Sequence, residues 1–459
     1  MTALLPNCAN SAVFTNRRRF LQQTGLGIGG LAMACLLSET AGAEPIASLL
    51  PRRPPLTAKA KHVIHIFAGG APSHLDTLDP KPALAAFRDR SLPGESGVGF
   101  PSPFKFPKCG RSGLELSELF PRLGTVADEL CVIRSMFTDV PAHGAAAKLL
   151  HTGSITLTRP SLGAWTLYGL GSENASLPGF ITFGGNVEWR QAAFLPGPFQ
   201  GAKADFALGR PPEKVLLNLK SEFASREQQR IQLDLMHKLD AAHMERAPHD
   251  DQLESRVDSF ELAFRMQTEA PDAFDISKES NETRELYGKG ELAAKLLCAR
   301  RLVERGVRFV QVDAGGWDHH TNLATAIAGT ARSVDQAAAA LISDLKSRGL
   351  LDSTLVLWGG EFGRTASTAG KVAADSGRDH HAKCFSLWMA GGGVKGGMAY
   401  GATDELGQEV VQDGVHVHDL HATILRLLGF DHTKLTYRYN GRDFRLTDNF
   451  GKVAESIIA

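Results

Sequence analysis

The sequence predicts an α/β fold with a largely parallel sheet, and three observations carry that prediction. Short runs rich in β-branched and aromatic residues alternate with longer stretches of helical spacing, the pattern of strands joined by crossover helices. The clearest run, in Val307–His320 (VRFVQVDAGGWDHH), ends in Asp313, two glycines, and then Asp318, His319 and His320. Three other strand-like runs end in the same kind of residue, and open α/β sheets carry their chemistry at the carboxyl ends of strands. Asp and His in one short loop have the composition of metal ligands.

The 459 residues are 43% hydrophobic and 22% charged, enough for one large α/β domain or two smaller ones. Lys and Arg together equal Asp and Glu, at 50 each, so charge gives no support to a nucleic-acid or anionic-membrane partner. Oligomeric state leaves no mark in the sequence.

Residues 1–43 read as an export signal. Arg17–Arg19 with Phe20 and Leu21 precede an apolar stretch, Gly25–Leu37, and a small-residue site at Ala41–Ala43. Paired arginines followed by Phe-Leu resemble a twin-arginine signal, which places the mature chain in the periplasm or outside the cell. The apolar stretch is shorter than the roughly 20 residues of a membrane span. Four cysteines remain beyond it, Cys109, Cys131, Cys298 and Cys384, with no CxxC pair.

Residues 44–60, with four prolines, read as a linker, and 61–459 as one domain. Lys61–Phe67 is the first strand. Its turn, Ala68–Asp76, offers Ser73, His74 and Asp76 beside glycines that let backbone approach a ligand. Leu119–Leu130 reads as helix and Cys131–Met136 as strand, followed by Thr138–His143 and a helix of small residues. Phe180–Phe183 is a further strand. From about 211 to 305 the spacing is helical, with Leu233, Leu235, Met236 and Leu239 on one side. This reads as a helical insertion packed on the sheet. Asn322–Ser347 is helix, Asp352–Gly360 a strand ending in Glu361 and Arg364, and Cys384–Met389 a strand preceded by Arg378, Asp379 and His380. The last helix, Asp419–Leu428, carries His421.

The strand-end turns together offer carboxylates, imidazoles and two arginines. Divalent ions held by such groups can clamp a phosphoryl- or sulfuryl-like centre, with Arg364 or Arg378 meeting the remaining anionic oxygens.

The segments SHLDTLDPKP, RPSLGAW…YGLGSEN, GGWDHH, GGEFGRT, GRDHH…WMAGGGVKGG and HVHDLHATILRLLG…LTYRYNGRDFRLTD resemble the domain-of-unknown-function 1501 family. That family is often labelled sulfatase-like and is similar in turn to the alkaline phosphatase superfamily. The resemblance implies a three-layer sandwich, a central mixed sheet between helices, with a metal site at the strand ends. It implies metal ligands at Asp318 and His320, at Glu361 where the superfamily often has Asp-His-Gly, and at His380 with Asp379 beside it. His74 and Asp76 join these from the first turn. The superfamily's nucleophile position falls on His143, and Ser73, Thr138 and Ser161 are the alternative hydroxyls. No C/S-x-P-x-R motif of a formylglycine sulfatase is present.

Two functions are therefore expected. The first is an exported hydrolase of anionic sulfate or phosphate esters, sulfated polysaccharide included, which uses Zn, Mn, Ca or Mg. The second is a non-catalytic metal- or partner-binding protein on the same fold.

Overall fold

Nine strands form one mixed sheet in the computed structural model, which describes residues 49–217, 219, 224–244 and 251–459. In chain order they are β1 (His62–Phe67), β2 (Leu130–Phe137), β3 (Phe180–Phe183), β4 (Ala202–Ala204), β5 (Phe309–Asp313), β6 (Thr354–Gly359), β7 (Phe385–Ala390), β8 (Met398–Tyr400) and β9 (Val415–His416). Their spatial order is β8-β2-β7-β6-β1-β5-β3-β4, with β9 also on β2. Only β7 runs antiparallel to its neighbours. The central strands β1 and β6 are buried along their whole length, which is why they are mainly apolar, with His62, His65 and Thr354 the buried polar exceptions.

Alternation along β1 divides the core. Ile64 and Ile66 face one layer, Val63 and Phe67 the other. The first layer holds α7 (Glu291–Glu304) and α8 (Leu323–Ser347). The second holds α2 (His143–Thr152), α3 (Leu162–Leu170) and α9 (Val417–Leu427). The arrangement is the expected α/β sandwich of three layers. The remaining helices are α1 (His74–Thr77), α4 (Arg226–Met244), α5 (Asp251–Phe274) and α6 (Asn281–Tyr287). Among the described residues, no helix is long and apolar enough to cross a membrane.

Several local features differ from the sequence reading. Leu119–Leu130 is not an α-helix but a turn followed by a 3₁₀ segment, Leu123–Glu129, broken at Val126. Pro121 and Gly124 weaken the α conformation there, and the Asp335 carboxylate holds the turn by accepting the Arg122 and Leu123 N–H groups. In the helical stretch the expected apolar side splits. Leu233 is buried with Phe260 and Phe264 in a small separate core, whereas Leu235 and Leu239 lie exposed. Met266, Ala270, Ala273 and Phe274, in the far end of α5, join the main core.

The export segment at 1–43 lies outside the described residues. Of the linker, 49–60 is described. Arg52 donates its N–H to Leu170 at the end of α3, and Lys59 and Ala60 donate to Leu427 at the end of α9.

The second layer and the floor of the site hold buried histidines. Burial keeps the imidazole of His65 well below 6.5, those of His74 and His151 at about 4, and that of His421 at about 3. A histidine depressed in the folded state is protonated preferentially in the unfolded chain once pH falls below its ordinary value. Each one therefore withdraws about 1.4 kcal/mol of stability per pH unit until its folded value is reached. His143 is the only histidine raised among the described residues, so it opposes this trend alone. The melting temperature is expected to fall steadily from about pH 6.5 to about pH 4. Equal melting temperatures at about pH 7 and about pH 5 would contradict neutral burial.

Candidate metal centre

The carboxyl ends of β1, β5 and β6 converge with the start of α2 and the segment 377–381. Two glycines permit the approach. Gly70 has φ +100°, and a Cβ there would lie 2.7 Å from the Asp318 nitrogen. A Cβ on Gly377 would lie 2.1 Å from the His320 carbonyl carbon. The two-residue strands Gly363–Arg364 and His380–His381 pair antiparallel and fix His380 opposite Arg364.

Three imidazoles meet one carboxylate oxygen. His143, the first residue of α2, places Nε2 3.4 Å from Asp318 Oδ1; His320 Nε2 lies at 3.0 Å and His380 Nε2 at 3.6 Å. The Nε2 atoms of His320 and His380 are 3.0 Å apart. On the far side of each ring stands an acceptor. His143 Nδ1–H donates to Glu361 Oε1 at 2.6 Å, His320 Nδ1–H to Asp379 Oδ1 at 3.0 Å, and His380 Nδ1–H to the Pro141 carbonyl at 2.9 Å. Carboxylates and carbonyls only accept, so the proton sits on Nδ1 and the Nε2 lone pair points inward. Two such lone pairs facing each other at 3.0 Å repel unless a cation lies between or beside them. Buried His143 Nε2 and Glu361 Oε2 make no hydrogen bond. The residues fit a metal ion.

The electrostatics follow from the same contacts. Burial alone would raise the Asp318 carboxyl, but the Arg364 hydrogen bond and charge, with the imidazoles, bring it to about 2. The Glu361 bond raises His143 against the opposing effect of burial. Burial, with the Arg364 charge, lowers His380.

The chain belongs to the family described as protein of unknown function (DUF1501), which it matches over residues 60–458. No curated protein matches it. Among solved structures it is similar to PsFucS1 sulfatase from Pseudoalteromonas sp., at 14% identity over 82% of this chain and 68% of that one, TM-score 0.32. It is also similar to the lipoteichoic acid synthase LtaP from Listeria monocytogenes, at 11% identity over 85% and 75%, TM-score 0.35. A third is the alkaline phosphatase from the Antarctic bacterium TAB5, at 11% identity over 73% and 92%, TM-score 0.31.

In this DUF1501 chain the structure separates the residues singled out by sequence. His143, Asp318, His320 and His380 form the inner cluster, and one ligand atom of each of His143, Asp318 and His380 lies within 4.8 Å of the others. Glu361 and Asp379, expected as ligands, stand behind His143 and His320 as their hydrogen-bond acceptors.

His74, Asp76 and Arg378 lie outside the cluster. His74 is buried beneath it, its Nε2 3.1 Å from the Gly407 carbonyl. Asp76 and Arg378 form a fully buried ion pair, with Nε 2.7 Å from Oδ2. Arg378 also donates to the carbonyls of Phe100 and Thr365. Its guanidinium is spent on the fold and cannot meet a substrate anion.

Arg364 touches the cluster but is saturated as well. It donates to Asp318 at 2.6 Å and to the carbonyls of Gly70, Ala71 and Arg378, and its remaining N–H faces His320 Nε2 at 3.5 Å. The alternative hydroxyls are elsewhere. Ser73 donates to Asp76, Ser161 caps α3, and Thr138 is buried without a side-chain bond. His418 and His421 bond the carbonyls of Gly153 and Leu150, tying α9 to the end of α2. The Pro141 carbonyl and the Gly70 N–H, which reaches Glu361 at 3.1 Å, carried no signal in the sequence, since any residue supplies them.

Arg378→Met leaves Asp76 buried and unpaired, which costs about 3–5 kcal/mol. Denaturant unfolding is expected to show that loss. A loss under about 1 kcal/mol would mean that the pair does not hold the turn.

Proposed function

We propose that this protein is an exported, metal-dependent hydrolase of sulfate or phosphate esters. One observation carries the reading: three imidazoles, each pinned through Nδ1, turn their Nε2 lone pairs onto one carboxylate oxygen. His143, Asp318, His320 and His380 would hold the ion. Nitrogen predominates in this donor set, which suits Zn better than Mn, Ca or Mg. A divalent ion bound there supplies a Lewis acid and lowers the pKa of a coordinated water toward about 7.

The chain's own groups prepare that chemistry. Glu361 and Asp379 fix the tautomer and the plane of two rings. Arg364 keeps Asp318 ionised and aimed inward. The start of α2 has no side-chain cap at Ala142, so its free N–H groups and positive dipole end open beside His143. An anionic ester is met there in place of the two saturated arginines. No hydroxyl touches the four inner side chains among the described residues, so water is the attacking group and His143 a ligand. Export rests on the Arg17–Arg19 segment; loss of secretion in Arg17→Lys/Arg18→Lys/Arg19→Lys tests it.

A second reading is a metal- or partner-binding protein without turnover. The saturation of Arg364 and Arg378 favours it, because the centre then has no free guanidinium for an anion.

Elemental analysis of the purified protein is expected to find about one divalent ion per chain, and none in Asp318→Asn/His380→Ala. Glu361→Gln is expected to weaken metal affinity about 10–100-fold through the loosened His143 ring. The loaded protein should then hydrolyse aryl sulfates or aryl phosphates. A protein that takes up no metal on reconstitution defeats the hydrolase reading. One that holds metal and cleaves neither ester class supports the second.

A further inference from the structure

A cleft of about 840 Å³ opens between α6 and α8. Arg284, Lys289 and Arg332 line it against a single carboxylate, Glu285, and all four are exposed. Arg284 donates to Asn281 Oδ1. Lys289 and Arg332 have no hydrogen bond or ion pair among the described residues. The neutral lining adds the free amide N–H groups of Asn281 and the Gln336 oxygen, whose Nε2 is taken by the Glu285 and Leu286 carbonyls. No aromatic ring lines the cleft.

Helix α8 also touches the loop that leads to Asp318. Thr330, on the flank of that helix, donates to the Gly316 carbonyl at 3.2 Å, and Gly316 lies two residues before Asp318.

We infer that the cleft is an accessory binding site for a sulfated polysaccharide, so that the ester hydrolysed at the metal centre belongs to a polymer. This rests on the hydrolase reading above. Three exposed cations in one cleft, two of them without an acceptor among the described residues, match repeated sulfates along a chain. The amides match sugar hydroxyls, which a polyphosphate lacks. Without an aromatic surface, the bases of a single-stranded nucleic acid have nothing to stack on. An open cleft lets a chain run through it toward the centre.

The experiment measures binding of dextran sulfate to the full chain by titration at low and raised salt, with uncharged dextran and single-stranded DNA as comparisons. Wild type is expected to bind dextran sulfate, with affinity falling as salt rises, and to bind neither comparison polymer. Arg284→Gln/Lys289→Gln/Arg332→Gln is expected to lose about tenfold or more in affinity, with its melting temperature and its hydrolysis of small aryl esters unchanged. Lys434→Gln/Arg438→Gln/Lys452→Gln, on the opposite face of the sheet, should bind as wild type does.

The inference is overturned if wild type does not bind dextran sulfate, if DNA binds equally, or if the two triple variants behave alike. Asp318→Asn separates it from the reading on which it rests. Polymer binding that survives in this variant, with wild type that cleaves no ester, retains the cleft and discards the hydrolase. Ester cleavage without polymer binding does the reverse.

Discussion

The buried guanidinium of Arg364 holds the strand ends together. Its N–H groups reach the carbonyls of Gly70 and Ala71 after β1, the Asp318 carboxylate after β5, and the Arg378 carbonyl. A charge 1% exposed is costly to desolvate, and only hydrogen bonds on every side make such a site tenable. Burial accordingly lowers the Arg364 pKa, against the pull of Asp318. Arg378 does the same work one layer away, joining Asp76 to the carbonyls of Phe100 and Thr365. The loops that carry His320, Glu361 and His380 are therefore cross-linked before any ligand arrives, which is the preorganisation a metal centre needs.

That scaffold explains the orientation of the histidines. A ring on an untethered loop would present either nitrogen. Here Glu361, Asp379 and the Pro141 carbonyl each occupy an Nδ1, and the three Nε2 atoms are left facing one oxygen. Glu361 is itself held by the Gly70 N–H, so the first turn after β1 acts on His143 at second hand.

The sheet was legible because burial leaves a direct mark on sequence. Strands β1, β5, β6 and β7 are apolar runs wherever both faces are covered, and the ionisable residues that follow them mark the end of the sheet. What sequence could not resolve was rank within the cluster. Glu361 and Asp379 differ from Asp318 only in whether a histidine stands between them and the centre, and that depends on ring orientation. Asp76 and Arg378 lie 302 residues apart, so nothing local revealed that they neutralise each other. The helix expected at Leu119–Leu130 failed for a related reason: Asp335, far along the chain, secures a turn that local propensity did not favour. In the helical stretch, spacing located α4 but not which side of it would be covered.

Charge balance ties these roles together. Asp318, Glu361 and Asp379 bring three carboxylates to the cluster, and Arg364 alone answers them, because Arg378 is already spent on Asp76. With the three imidazoles neutral, three carboxylates against one guanidinium leave an excess of two negative charges. Without a cation, the simplest relief is a proton on His143, between Glu361 and Asp318, and that imidazole is the one whose pKa is raised. A divalent ion relieves the whole excess, and it must displace that proton to do so. The raised histidine, the Nε2 atoms crowded at 3.0 Å and the unpartnered Glu361 oxygen are each what a cluster with more carboxylates than cations is expected to show.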